Sequence, residues 1–331
     1  MNSFGRLFRL HIFGESHGES VGFTLDGCPA GLSLEMTDFV TDIERRKGGS
    51  QKGTTPRKED DLPICKSGLF NGHTTGAPLT FLFENNNTRS GDYEKQRAVP
   101  RPGHADFTAG VKFGGFEDYR GGGHFSGRLT VCLVAAGVIA KKLLSQCQVR
   151  AEILEIGGES DIEKGLNKAI EAKDSIGGIV ECRVTGLPPG LGEHFFDSVE
   201  SLLAHAVFSI PAVKGVEFGA GFAAAKMFGL EHNDAIENAS GKTRTNHAGG
   251  VVGGITNGNE LVYRIAIKPT SSTPREQQTW NRETNVIESF SVKGRHDLCI
   301  ALRVPVVMEA VTALVLADLM LLAQKIPRII Q

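Results

Sequence analysis

Phe8-Arg9-Leu10-His11-Ile12-Phe13-Gly14-Glu15-Ser16-His17-Gly18 is the stretch that decides between two fold classes. Phe8, Leu10 and Ile12 alternate with Arg9 and His11, the two-residue period of a half-buried strand. A doubly wound nucleotide-binding fold would follow such a first strand with G-x-G-x-x-G opening a helix. Here the strand runs instead into a polar loop bracketed by Gly14 and Gly18. A second strand follows, ending at Gly27 before the Pro29-Ala30-Gly31 turn.

Outward from this start, strands and helices are mixed rather than regularly alternating. Thr37 is placed to cap a helix carrying Phe39, Val40 and Ile43 that stops at Gly48-Gly49. Leu79, Phe81 and Phe83 alternate along another strand, and Val180, Cys182 and Val184 along a third. Ser160 with Glu163 matches a capping box before Ile162, Leu166 and Ile170, and Asp197 can cap a helix with Val199, Leu202, Leu203 and Val207. Asn257-Gly258 predicts a hairpin between strands 251–256 and 261–268. Two long apolar segments, 129–147 and 304–323, read as core helices, the second interrupted by Pro305, Glu309 and Asp318 in a way no membrane span favours. Residues 85–128 show little periodicity and many glycines and prolines, the pattern of a functional loop region. With no linker or repeat, the expected fold is a single α+β domain over 1–331 that combines helices with antiparallel sheets.

Composition narrows the function classes. Hydrophobic residues at 40% and charged residues at 22% allow a sizeable core. A formal net charge of −2 argues against a nucleic-acid binder, so any anion site must be built locally. The 41 glycines exceed average usage of about 7% and cluster at 121–123, 249–250 and 253–254, which points to loops shaped around a ligand. Six scattered cysteines without a C-x-x-C pair suit a reducing cytoplasm and offer no zinc site. Arg6, Arg9 and His11 break any apolar signal segment at the start.

Five constellations carry candidate chemistry. His17, between glycines after the first strand, is a proton donor at near-neutral pH or a turn residue that caps local backbone. His104 stands in the stiffened loop Pro100-Arg101-Pro102-Gly103-His104-Ala105-Asp106. Between 44 and 58 six basic residues, including Arg46 and Lys52, face only Glu44, which makes a solvated face partly neutralised by Glu59, Asp60 and Asp61, a nucleic-acid contact that lacks the usual aromatic residues, or a site for a small polyanion. Arg120-Gly121-Gly122-Gly123-His124-Phe125-Ser126-Gly127-Arg128 leads into an apolar helix, as an anion cradle or a hinge would. Lys268-Pro269-Thr270-Ser271-Ser272-Thr273, with Gly294-Arg295-His296-Asp297, supplies hydroxyls, backbone N–H groups and an arginine for a second phosphate. Asp297 reads equally as a plain salt bridge or loop cap.

These motifs, joined by Ala135-Ala136-Gly137 with Ala140-Lys141-Lys142 and by Asn246-His247-Ala248-Gly249-Gly250, resemble the chorismate synthase family in order and spacing from Phe4 to about Leu322. The resemblance implies helices sandwiched between antiparallel sheets, a homotetramer, and anti-1,4-elimination of phosphate from 5-enolpyruvylshikimate 3-phosphate to give chorismate. It also implies reduced FMN as cofactor without net redox change. Since no flavin-reductase domain is added, it further implies an external flavin reductase, with NADPH as an indirect reductant. By the same resemblance His17, His104 and Asp297 are catalytic. Arg46, Lys52, Arg101 and Arg128 fall at substrate or NADP positions. His124, Phe125, Ser126, Pro211, Ala212, Gly253, Lys268, Pro269, Thr270, Ser271, Ser272 and Arg295 fall at flavin positions. The chain departs from the family's usual pattern at His124-Phe125-Ser126-Gly127, at Lys52 in place of an arginine, and at Pro211.

Overall fold

The computed structural model describes residues 1–49, 52–55, 59–86, 97–292 and 296–331. Two antiparallel sheets enclose a layer of helices. The first sheet has the order β1-β2-β3-β7-β4, formed by Ser3–Phe4 (β1), Arg9–Gly14 (β2), Ser20–Asp26 (β3), Ile64–Ser67 (β4) and Leu79–Glu84 (β7). A small hairpin, Leu69–Phe70 (β5) with His73–Thr74 (β6), lies between β4 and β7 in sequence. The second sheet has the order β10-β13-β9-β8, formed by Gln148–Ile156 (β8), Gly178–Thr185 (β9), Val213–Phe218 (β10) and Leu261–Ile267 (β13). Val251–Val252 (β11) pairs with Ile255–Thr256 (β12), and Gln277–Asn281 (β14) with Val286–Phe290 (β15). The helices are Val40–Arg46 (α1), Asp106–Phe113 (α2), Thr130–Leu143 (α3), Ile162–Ala172 (α4), Val199–Val207 (α5), Gly229–His232 (α6) and Val304–Leu322 (α7).

Strand alternation places the core. Val21, Phe23 and Leu25 of β3 sit opposite Phe83, Phe81 and Leu79 of β7, and all six are fully buried. Their shared face packs on α3, which packs in turn on α7. On its other side α7 meets β8 and β9, where Val180, Cys182 and Val184 are buried. A helix covered on all sides can be apolar all round, and α7 is buried along nearly its whole length. Its two acidic residues tie the layers together. Glu309 accepts both Nη groups of Arg45 at 2.7 Å, Lys141 Nζ at 2.7 Å and the Ala151 N–H at 3.0 Å. Asp318 accepts the backbone N–H groups of Arg6, Leu7 and Phe8 at 2.8–2.9 Å. Each buried charge therefore meets several donors, as its desolvation demands.

The α+β class and the antiparallel sandwich agree with expectation, and three local readings are corrected. The helix starts are shifted. Asp38 Oδ2, not Thr37, takes the N–H of Glu35 at 2.8 Å. Asp161, not Ser160, caps α4, and Ser198, not Asp197, caps α5. Asp197 is instead engaged by Arg6 at 2.5 Å. On α4 the buried face carries Gly165, Leu166 and Ala169, while Ile170 turns outward.

The Asn257-Gly258 hairpin does not form. The tight turn is at Gly253-Gly254, between β11 and β12, and β13 pairs along its length with β9 and β10. The side chain of Asn257 accepts the N–H of Asn259 at 3.0 Å, so this segment is a local turn that hands the chain to the larger sheet. Within 85–128 the chain forms α2 and a 3-10 segment, Arg120–Phe125, neither of which the hydrophobic pattern announces; residues 87–96 lie outside the described residues.

Candidate active site

A cavity of about 840 Å³ opens at one edge of the helical layer, and loops from both halves of the chain converge on it. Its walls carry six Arg and Lys side chains, from Arg46, Lys47, Arg101, Arg128, Lys268 and Arg303, against three carboxylates, from Glu59, Asp61 and Asp297. The chain as a whole is slightly anionic. The cavity is thus a local concentration of positive charge, with an apolar wall that includes Leu133, Val307 and Leu314.

At its base, the last turn of α1 and the start of the α3 segment bring two guanidinium groups onto one carboxylate. Arg46 Nη2 lies 2.5 Å from Asp61 Oδ2, and Arg128 Nη1 pairs with Asp61 Oδ1. All three side chains are nearly inaccessible. Arg46 also donates to Thr130 Oγ1 at 3.3 Å, and Arg128 to Asn85 Oδ1 at 3.0 Å and to the Glu84 carbonyl at 3.1 Å. Burial would raise the Asp61 carboxyl, but the two arginines hold it below the usual carboxylate range. Burial pulls both guanidinium groups down, and Asp61 opposes that pull. This triad carries a formal charge of +1, and Glu59 also lends its negative charge to Arg128.

The two histidines are gathered by the glycine run. Gly121, Gly122 and Gly123 all have positive φ, at 59°, 82° and 51°. A Cβ on Gly121 would come within 2.2 Å of His17 Cε1, and one on Gly122 within 3.1 Å of His104 Cε1. Bare backbone therefore lies against both rings, in a conformation L side chains rarely adopt. The run acts as a mould for two imidazoles rather than as the open anion cradle the sequence allowed. His104 is further held through Nδ1, 2.5 Å from Asp106 Oδ1. His124 meets the Gly14 carbonyl through Nδ1 at 2.8 Å, so it closes the loop that carries His17.

Asp297 lines the cavity and is anchored twice: Oδ1 accepts the Thr55 N–H at 2.8 Å, and Oδ2 accepts Arg303 Nη1 at 3.0 Å. Arg303 Nε donates to the carbonyl of Arg46 at 2.8 Å, which connects Asp297 to the arginine triad. Across the cavity, Thr270, Ser271 and Ser272 present hydroxyls beside Lys268, whose Nζ donates to the Gly103 carbonyl at 2.9 Å. Burial, and then the charge of Lys214, lower the Lys268 ammonium from its ordinary value. Pro211 and Ala212 complete this wall, and Ala212 has a φ of 75°, an uncommon conformation for a side-chain-bearing residue and one that tends to persist at ligand sites.

His17, His104, Asp297, Arg46, Arg101, Arg128, His124, Phe125, Ser126, Pro211, Ala212, Lys268, Thr270, Ser271 and Ser272 thus share one cavity. Three expected residues do not join them. Lys52 is more than half exposed and bonds to Asn167 Oδ1 at 2.9 Å, because it projects toward α4. Gly253 forms the β11–β12 turn, with open space around its α-carbon. Pro269 packs toward Gly177 instead of the cavity. Arg295 lies outside the described residues. Asp61 and Arg303 are functional neighbours that sequence reasoning missed. Asp61 follows Glu59 and Asp60 just beyond the basic run, where nothing in the sequence sets it apart, and Arg303 sits at the start of an apolar helix with no motif around it.

The profile of a protein family described as chorismate synthase matches residues 8–321. A chorismate synthase of Chitinophaga pinensis is 72% identical over 330 residues, covering 99% of each chain. One from Dehalococcoides mccartyi is 45% identical, covering 100% of this chain and 99% of its own. A solved structure titled as a crystal structure of chorismate synthase superposes with a TM-score of 0.75 at 27% identity, covering 97% of this chain and 93% of that one.

Proposed function

The chain belongs to the chorismate synthase family, lyases that eliminate phosphate from 5-enolpyruvylshikimate 3-phosphate to give chorismate, and we propose that it does so with reduced FMN in the cavity described above. The observation that carries this reading is the meeting of His17 and His104 with Arg46, Arg101 and Arg128 around one positively charged space. A substrate with two carboxylates and a phosphate needs such charge, and guanidinium forks match both anions.

The cavity also fits a flavin nucleotide. Its volume lies within the range of about 300–1,000 Å³ typical of ligand sites. An apolar wall suits a flat ring system, and the Ser126, Thr270, Ser271 and Ser272 hydroxyls with Lys268 suit a ribityl phosphate. When bound, reduced flavin supplies electron density that weakens the breaking C–O bond and is recovered when the reaction ends. The protein's own groups hold anions, exclude water and move protons. His17 gives its proton to the departing phosphate. His104, which lines the same cavity, would favour the charge state of a bound reduced flavin. Asp297, held in place by Arg303, assists removal of the ring hydrogen.

We further infer a homotetramer located in the cytoplasm, with an external flavin reductase and NADPH as its indirect source of electrons. Phe195, Phe196, Phe222, Phe228, Leu230 and Ile236 are strongly exposed, which leaves large apolar side chains for subunit contacts to cover. The two helical stretches apolar enough for a membrane, 120–143 and 300–322, are mostly buried inside the fold. The deciding assay follows phosphate release from the shikimate ester without oxygen. Many turnovers per reduced FMN are expected; one turnover per hydride donor consumed would mean a flavin oxidoreductase instead.

A further inference from the structure

Asp106 is the first residue of α2 and reaches back over the loop that precedes it. Its Oδ2 accepts the backbone N–H of Arg101 at 3.1 Å and Arg101 Nε at 2.7 Å. Its Oδ1 accepts Arg101 Nη2 at 2.8 Å and stands 2.5 Å from His104 Nδ1. Burial would raise this carboxyl, but the bonds from Arg101 and His104 hold it well below the usual carboxylate range, so it is an anion at neutral pH and can only accept. Nδ1 of His104 must then donate. The Arg101 Nη2 group, 3.0 Å from Nδ1, is no partner for it, because both atoms are donors that share Oδ1. On the other side of the ring, the bare α-carbon of Gly122 closes the space.

We propose that Asp106 is a positioning residue that fixes the proton of His104 on Nδ1, so that Nε2 is the nitrogen that exchanges protons in the cavity, and that it sets Arg101 in the same stroke. The inference rests on the reading of His104 as a working group of the reaction. For metal-bound histidines an orienting carboxylate typically contributes roughly 10–100-fold, which serves as the lower expectation here, and a wrong tautomer at a general base can cost about 10⁴-fold. Asp106→Asn keeps the shape and replaces one acceptor oxygen by an amide that donates, which favours the other tautomer.

The test is ¹⁵N NMR of ring-labelled histidine in the full-length protein, assigned with His104→Ala, alongside anaerobic turnover with reduced FMN. In the unmodified protein the neutral ring of His104 is expected to carry its proton on Nδ1; a proton on Nε2 overturns the inference without any variant being needed. In Asp106→Asn the two nitrogen shifts should exchange and kcat should fall by about 10–100-fold. Exchanged shifts with unchanged kcat, or unchanged shifts with His104→Ala inactive, would remove Asp106 from this role alone. A fully active His104→Ala would remove the working role of His104, and the function of Asp106 with it.

Discussion

Asp61 is the residue on which the charge of the cavity turns. It satisfies two buried arginines at once, so Asp61→Asn leaves both guanidinium groups without their anion. Removing one partner of a buried pair typically costs about 3–5 kcal/mol, and a loss of that size is expected in urea unfolding at pH 7. The sign with pH follows from the depressed carboxyl. Its stabilisation is complete above the unfolded value of about 3.9 and is lost as pH falls through the lower folded value. The gap between wild type and Asp61→Asn should therefore narrow on acidification, read from unfolding midpoints at pH 7 and pH 3. Arg46→Ala is expected to weaken substrate binding by more than the ~1 kcal/mol upper range of a surface pair. An unchanged Kd in a folded variant would leave Arg46 as a buried structural partner of Asp61 and not a substrate contact. Gly121→Ala should lose turnover sharply, since the new methyl would occupy the place of His17 Cε1; normal kcat would mean that the ring position is not critical. His17, His104, Arg46, Arg101 and Arg128 were visible in the sequence because they stand in glycine-bracketed loops or a basic run, whereas Arg303 opens an apolar helix with no such signal. Asp61 was not visible either, because nothing local distinguishes an acid on a solvated face from one seated between two distant arginines.

At the scale of elements, α3 and α7 approach each other closely in the core. A Cβ on Gly137 would stand 2.3 Å from Ala310 Cβ and 2.5 Å from its α-carbon, so the helices cross where one has no side chain. Overpacking of this kind typically costs about 1–3 kcal/mol. Gly137→Ala should lower the urea midpoint accordingly and leave the KM of the surviving folded enzyme unchanged. Period-two strands and the long apolar helices were legible because each signal repeats along many residues, as in β3, β7 and α7. Helix starts slipped by a residue or two because neighbouring Ser, Thr and Asp side chains compete for the same N–H groups, and Asp197 was claimed by Arg6. The misplaced hairpin at Asn257-Gly258 has a different origin. A turn signal is local, whereas the choice of partner for β13 is made by strands far away in sequence.

At the scale of the whole molecule, a chain of net charge −2 concentrates cations in one opening. Attraction of a multiply charged anion into it is screened by salt, with a Debye length of about 10 Å at 0.1 M. KM for the substrate should rise as salt is raised from 0.05 to 0.5 M by roughly a factor of ten, against a much smaller change in kcat. A KM independent of salt would show that the arginines are fully offset by their own acids. The site itself was only partly legible because it is assembled from segments spread from His17 to Arg303. Motif order identified the pieces, but only folding shows that Lys52 and Gly253 point elsewhere.

The position of α7 in the chain has a consequence for biogenesis. The helix that fills the centre of the sandwich is synthesised after α3 and after the strands of both large sheets. While the ribosome is still at work, the apolar faces of α3, β8 and β9 have been made but lack the surface that covers them. Unprotected surface of this kind draws aggregation and chaperones during synthesis at about 5–20 residues per second. Nascent chains stalled before residue 304 should accordingly be held by chaperones, and release into a soluble form should coincide with emergence of α7.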